Sequence, residues 1–255
     1  MTRRSNERTT PPNFLLVAIC CSLACTAVGQ DFVSFVIPAR ISPGQPVWVT
    51  DYQPIKTDSE RLTAAGHFRR GGRDVRLWGV NVCFGANFPT HEDAPHVAER
   101  LAAAGVNSVR CHHMDTSRWP RGIWNAKDGK TIEPQALDRL DYFINELAKR
   151  GIFVNLNLHV GRAHSQYLGL PRSNTEYDKI VGIFTPALIE AQKQYAKDLL
   201  THVNPYRGGV RYADDPAVAF VEITNEDSFF MWGAEEKLRT LPPYYGDLLR
   251  DQFSA

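Results

Sequence analysis

The chain has 255 residues, 43% of them hydrophobic and 22% charged, with a formal net charge of +1. That length and balance suit a soluble globular protein with one large domain or two small ones. The near-neutral charge gives no electrostatic ground for a nucleic-acid or membrane-surface partner.

Arg3, Arg4 and Arg8 precede the apolar run FLLVAICCSLAC at 14–25, which has the length of a signal-peptide core and is short for a bilayer span. Ala27 and Gly29 supply small residues for a cut before Gln30. The expectation is therefore a signal peptide over 1–29, a secreted or periplasmic protein, and no membrane attachment once the signal is gone. Ser22-Leu23-Ala24-Cys25 is a weak match to a lipid-attachment site, which leaves a lipoprotein as the alternative. Removal of the signal takes Cys20, Cys21 and Cys25 with it. Cys83 and Cys111 remain without C-x-x-C metal spacing, either joined or as two buried free thiols.

Residues 31–75 mix short apolar runs with Pro38, Pro43, Pro46, Gly66 and Gly71-Gly72, the pattern of hairpins and loops. An extension with short strands is thus expected over 30–75. From 76 onward strands and helices alternate. RLWGVNV at 76–82 reads as a strand, and Asp93 and Pro95 open a helix that stops at Gly105. VNSVR at 106–110 is the second strand. Glu133 and Pro134 start a helix carrying Leu137, Leu140, Ile144 and Leu147 on one face, closed by Gly151. IFVNLNLH at 152–159 is the third strand. Thr185 as cap and Pro186 begin a helix with Leu188, Tyr195 and Leu199 on one side. VAFVEI at 218–223 is the fourth strand.

This alternation predicts a parallel sheet covered by helices. A doubly wound nucleotide-binding sheet would carry a Gly-rich turn after its first strand, and NVCFGANF has only Gly85. A (β/α)8 TIM barrel puts functional side chains at the C-terminal ends of successive strands. That is the pattern here, with Asn81 on the first, Arg110, Cys111, His112 and His113 on the second, His159 on the third, and Asn225 and Glu226 on the fourth.

Trp78-Gly79-Val80-Asn81, Asn107-Ser108-Val109-Arg110, Leu156-Asn157-Leu158-His159 and Ile223-Thr224-Asn225-Glu226 together resemble the first four barrel strands of the cellulase-like family 5 glycoside hydrolases and their clan. The resemblance covers 76–230. It implies Glu226 as general acid/base, Asn225 as ligand of the sugar 2-hydroxyl, Arg110 as the cation that orients the nucleophile, and His159 in the substrate subsite. It also implies a carbohydrate substrate, a retaining mechanism and no cofactor. The chemistry agrees, because acetal cleavage needs a carboxyl that stays protonated until used, and a partly desolvated strand end raises its pKa.

The family's nucleophile lies on strand seven, and the sequence ends at Ala255 after four β/α units. A barrel domain cut short over 76–255 is therefore expected, without a nucleophile of its own. Glu222, on the same strand as Glu226, and Asp227, its neighbour, are poor substitutes. Four parallel strands do not close a barrel, so an inactive fragment prone to association is expected.

His113 and His112 are expected to divide between cleft and packing. Trp124 and Trp232, in the loops after strands two and four, are candidates for stacking on a sugar ring, or for ordinary packing. One rival is a metal-dependent barrel hydrolase with His112, His113, His159 and His164 as ligands. Another is a carbohydrate-binding remnant that has lost the chemistry.

Overall fold

The computed structural model describes Ile41 and residues 53–254. The expected signal peptide, its cut at Gln30 and most of the 30–52 stretch lie outside these residues. The described elements begin with three short antiparallel strands, β1 (Leu62–Ala64), β2 (Phe68–Arg70) and β3 (Arg73–Asp74). There follow β4 (Gly79–Cys83), α1 (Asp93–Ala103), β5 (Ser108–His112), α2 (Pro134–Lys149) and β6 (Phe153–Asn157). After them come α3 (Val181–Phe184), α4 (Pro186–Leu200), the hairpin β7 (Val203–Asn204) and β8 (Val210–Arg211), β9 (Val218–Glu222), α5 (Ala234–Arg239) and α6 (Pro243–Ser254). Among the described residues no helix is long and apolar enough to cross a membrane.

The four strands expected from the sequence form one parallel sheet in the order β4-β5-β6-β9. Asn81, Arg110, Asn155 and Phe220 occupy one row across it, and Asn157 and Glu222 face each other two residues further on. Because side chains alternate between faces, Val109, Cys111, Val154 and Leu156 all point the other way, and all are fully buried. They pack with Leu140 and Ile144 of α2 and Tyr195 and Leu199 of α4 in the main core. The helical stripes read from the sequence meet this apolar face, except Leu188, which packs in a second cluster with Ile180, Val181 and Phe184.

The helix boundaries follow local chemistry. Thr90, three residues ahead, exchanges hydrogen bonds with Asp93 and steadies the start of α1. Gly151 ends α2 at φ 73°, and a Cβ there would stand 2.6 Å from the Gln53 carbonyl, so glycine is required twice over. Thr185 does sit at the N-cap of α4, but its hydroxyl is buried without a partner, so the expected capping bond is not made.

At the N-terminal end of the strands Ile55, Ala148, Phe153 and Ala217 form a small apolar plug. The opposite end carries the polar residues. Strands β4 and β9 are the edges of the sheet among the described residues, and Trp78, Val221 and Ile223 beside them are 67%, 41% and 74% exposed. Cys83 and Cys111 are both free, and burial pushes the Cys111 thiol up to about 12.

Candidate functional site

The polar strand ends gather on one side of the sheet. Arg110 is bound by Glu222, with Nε 2.6 Å from Oε2 and a terminal nitrogen 2.5 Å from Oε1. The same guanidinium donates to Asn225 Oδ1 at 2.9 Å. Hydrogen bonds from Arg110 hold the Glu222 carboxyl below its ordinary pKa, against the effect of burial. Glu222, passed over in the sequence because it shares a strand with Glu226, is the arginine's partner.

Glu226 is not desolvated. Its side chain is 63% exposed, and its charged neighbour is Lys179, with Nζ 3.5 Å from Oε2. The same ammonium, almost fully buried, donates to the Asn225 carbonyl at 2.9 Å. Lys179 lies in the long loop after β6, 47 residues before Glu226, and carried no signal in the sequence.

Backbone strain marks this end of the sheet. Five non-glycine residues adopt left-handed φ among the described residues: Phe84 and His113 directly after β4 and β5, Tyr177 and Asp178 in the loop after β6, and Glu226 after β9. All five follow strands of the parallel sheet. Each costs on the order of 1–3 kcal/mol and persists only where surrounding contacts impose it.

His159 is 3% exposed and therefore does not line an open subsite, contrary to expectation. Its ring lies between two carboxylates, with Nδ1 3.4 Å from Asp115 and Nε2 3.2 Å from Asp227, at ion-pair rather than aligned hydrogen-bond geometry. Burial alone would lower its pKa, but the two acids override it and lift the value to about 9. The Asp115 carboxylate also accepts the backbone N–H groups of Val160 and Gly161. Backbone N–H of Asn225 donates to the His159 carbonyl at 2.8 Å, so this buried charge cluster sits under the turn that presents Glu226.

His113 stacks on Phe84 at 4.5 Å and 15°, and its Nδ1 meets the Thr116 hydroxyl at 2.8 Å. Burial, then the neighbouring His112, lowers its pKa. His112 faces Asn157 Oδ1 at 2.9 Å. Trp124 is 4% exposed, its indole N–H bonded to the Asp115 carbonyl at 2.6 Å, so it is a core residue and no stacking platform. Trp232 is 83% exposed. The four histidines of the metal reading do not converge: His159 is taken by acids, and His164 lies 2.9 Å from the Arg162 guanidinium, a poor neighbour for a cation. Among the described residues no group of three His, Cys, Asp or Glu side chains is placed to hold a metal ion. A cleft of about 660 Å³, lined by Ser165, Arg172, Asn174, Tyr177 and Lys237 among others, contains none of the site residues expected from the sequence.

Comparison with known proteins adds to this geometry. No curated protein matches the chain. Among solved structures it is similar to an endo-1,4-beta-mannanase from Rhizomucor miehei, at 21% identity and a TM-score of 0.54, over 65% of this chain and 48% of that one. It is also similar to a glycoside hydrolase family 5 mannosidase from Rhizomucor miehei, at 15% identity and a TM-score of 0.51, over 75% and 59%. The chain thus spans about half the length of the structures it matches, and the likeness supports a TIM-barrel fold of which residues 53–254 describe a four-stranded part. The family model for Cellulase (glycosyl hydrolase family 5) matches residues 69–226, the segment that runs from β2 through all four parallel strands to Glu226. The chain belongs to the cellulase family, glycosyl hydrolase family 5.

Proposed function

We propose that this chain supplies the acid/base side of a retaining glycoside hydrolase site, with Glu226 protonating the leaving oxygen of a polysaccharide or oligosaccharide. The observation that carries this reading is Glu226 itself: a left-handed, exposed glutamate held at a strand end by Asn225, Lys179 and the buried acids beneath. A non-glycine residue kept in that conformation is expected where geometry serves chemistry. A sugar ring seated over Glu226 would exclude the surrounding water from the carboxyl. Arg110 occupies Asn225 Oδ1, which leaves the amide nitrogen as the donor a sugar hydroxyl would meet.

A retaining mechanism requires a second carboxylate about 5–5.5 Å from the first. The two nearest in sequence are already committed, Glu222 to Arg110 and Asp227 to His159. We therefore assign neither as nucleophile, and the 255-residue polypeptide is expected to release no reducing ends from β-glucan or β-mannan oligosaccharides in water. Sodium azide supplies the missing partner. The C1–N bond forms as the C1–O bond breaks, the Glu226 proton passes to the leaving oxygen, and a glycosyl azide of inverted configuration results. The product should disappear in Glu226→Gln. Azide product undiminished in that variant, or no product in the parent, would overturn the assignment of Glu226. Turnover in water without azide would overturn the missing nucleophile.

A purely carbohydrate-binding role is the second reading, favoured by Phe230 and Trp232, which are 97% and 83% exposed within six residues of Glu226. Retention on insoluble polysaccharide with no azide product would support it. Export through residues 1–29 belongs to the same proposal, and mass spectrometry of the exported protein's N-terminus tests it, with an intact Met1 as the contrary result.

A further inference from the structure

Arg162 is 4% exposed, and among the described residues no carboxylate pairs with it. One terminal nitrogen donates to the Ala191 carbonyl at 3.2 Å, the other meets Nε2 of His164 at 2.9 Å, and Nε has no partner among the described residues. Asp115 and Asp178 act on it only at longer range, and burial pulls its pKa down to about 10. Its guanidinium lies 4.2 Å from the Trp124 ring centre and 5.3 Å from that of Tyr195. Such contacts return roughly 1–2 kcal/mol each, against a desolvation penalty of several kcal/mol for an ion without an opposite charge.

This side chain lines a cavity of about 100 Å³ together with Thr116, Ser117, Arg118, His164 and Gln166. Arg118, on the exposed rim, is fixed by the Ala126 carbonyl at 3.0 Å and by the face of Tyr167 at 5.0 Å. Gly129 permits this fit, since at φ 64° a Cβ there would stand 2.9 Å from Arg118 Nε. Asp115 also borders the cavity, but its carboxylate is used by Val160, Gly161 and His159. The cavity has room for a carboxylate-sized group.

We propose that this cavity binds a carboxylate between Arg118 and Arg162, with the Thr116 and Ser117 hydroxyls as neutral donors. Guanidinium groups suit the task because their planar N–H pairs match two carboxylate oxygens. The cavity wall adjoins the cluster under Glu226 through Asp115 and His159. The ligand chemistry is therefore an acidic sugar unit of the glycan or a free carboxylate of the same size. Only the first of these sources rests on the glycosidase proposal.

The test is intrinsic tryptophan fluorescence, with Trp124 as the indole against Arg162, during titration with sodium acetate, sodium D-glucuronate or D-glucose at ionic strength held constant with chloride. Saturable changes are expected with the two carboxylates and none with glucose. Arg118→Gln should weaken binding at least tenfold, and Arg118→Lys should recover part of it. Glucuronate binding at least tenfold tighter than acetate assigns the site to a sugar-borne carboxylate, and equal affinities assign it to the free anion. A response that does not saturate, an equal response to glucose, or undiminished affinity in folded Arg118→Gln would overturn the proposal. Glu226→Gln should bind as the parent does, so this result stands apart from any failure of the cleavage assay.

Discussion

Arg110 on β5 and Glu222 on β9 lock together across β6, with nitrogen–oxygen distances of 2.6 and 2.5 Å. The pair is partly buried, at 22% and 30% side-chain exposure, so its charge-assisted hydrogen bonds keep more of their strength than a surface pair's. Arg110→Met is expected to lower stability by about 1–2 kcal/mol in urea denaturation at neutral pH. Because Glu222 has a depressed pKa, its contribution is present above the ordinary value of 4.5 and fades as pH falls through the folded value. The stability gap between parent and variant should therefore narrow below pH 4.5, and an unchanged gap would contradict the pairing.

His159 behaves in the opposite sense. A folded pKa raised from 6.5 to about 9 adds stability that is complete below 6.5 and is lost as pH rises towards 9. The parent should lose roughly 1–3 kcal/mol across that interval beyond any loss seen in His159→Asn. Direct titration of the ring by NMR checks the cause. A midpoint at or below 6.5 would exclude an imidazolium held by Asp115 and Asp227.

The conformation of Glu226 predicts a conflict between stability and chemistry. Replacement by glycine removes the left-handed penalty, so Glu226→Gly should raise stability by about 1 kcal/mol in chemical denaturation while abolishing azide-dependent cleavage. Destabilisation instead would show that the contact with Lys179 outweighs the backbone strain.

The two tryptophans should separate cleanly. Trp124→Ala empties a core position and is expected to lower stability by about 3–5 kcal/mol, whereas Trp232→Ala should change stability by less than about 0.5 kcal/mol. Affinity electrophoresis in gels containing soluble polysaccharide then reports on Trp232. Migration unaffected by its removal would exclude it as a sugar platform.

The four strands were legible as short runs rich in apolar and β-branched residues, three of them starting within two residues of Gly105, Gly151 or Pro216, and the helices because Leu140, Ile144 and Tyr195 keep the 3.6-residue period that the sheet demands. The site was legible only in part. Asn225 and Glu226 follow from their place after an apolar strand, but Lys179 meets them from a loop 46 and 47 residues away, and no local pattern encodes that approach. Glu222 was within reach, since parallel register with a two-residue alternation puts it on the same face as Arg110. The fate of Trp124 depended on the 113–133 loop folding back so that the Asp115 carbonyl could accept a hydrogen bond from the indole N–H, a tertiary event invisible to composition.

Asp115 has a consequence for engineering. It belongs to the loop after β5, yet its side chain holds the Val160 and Gly161 amides of the loop after β6, while its carbonyl holds Trp124. The two loops are thus one module. Grafting either alone from a relative to alter substrate choice should fail to fold correctly, and exchanging both together should succeed.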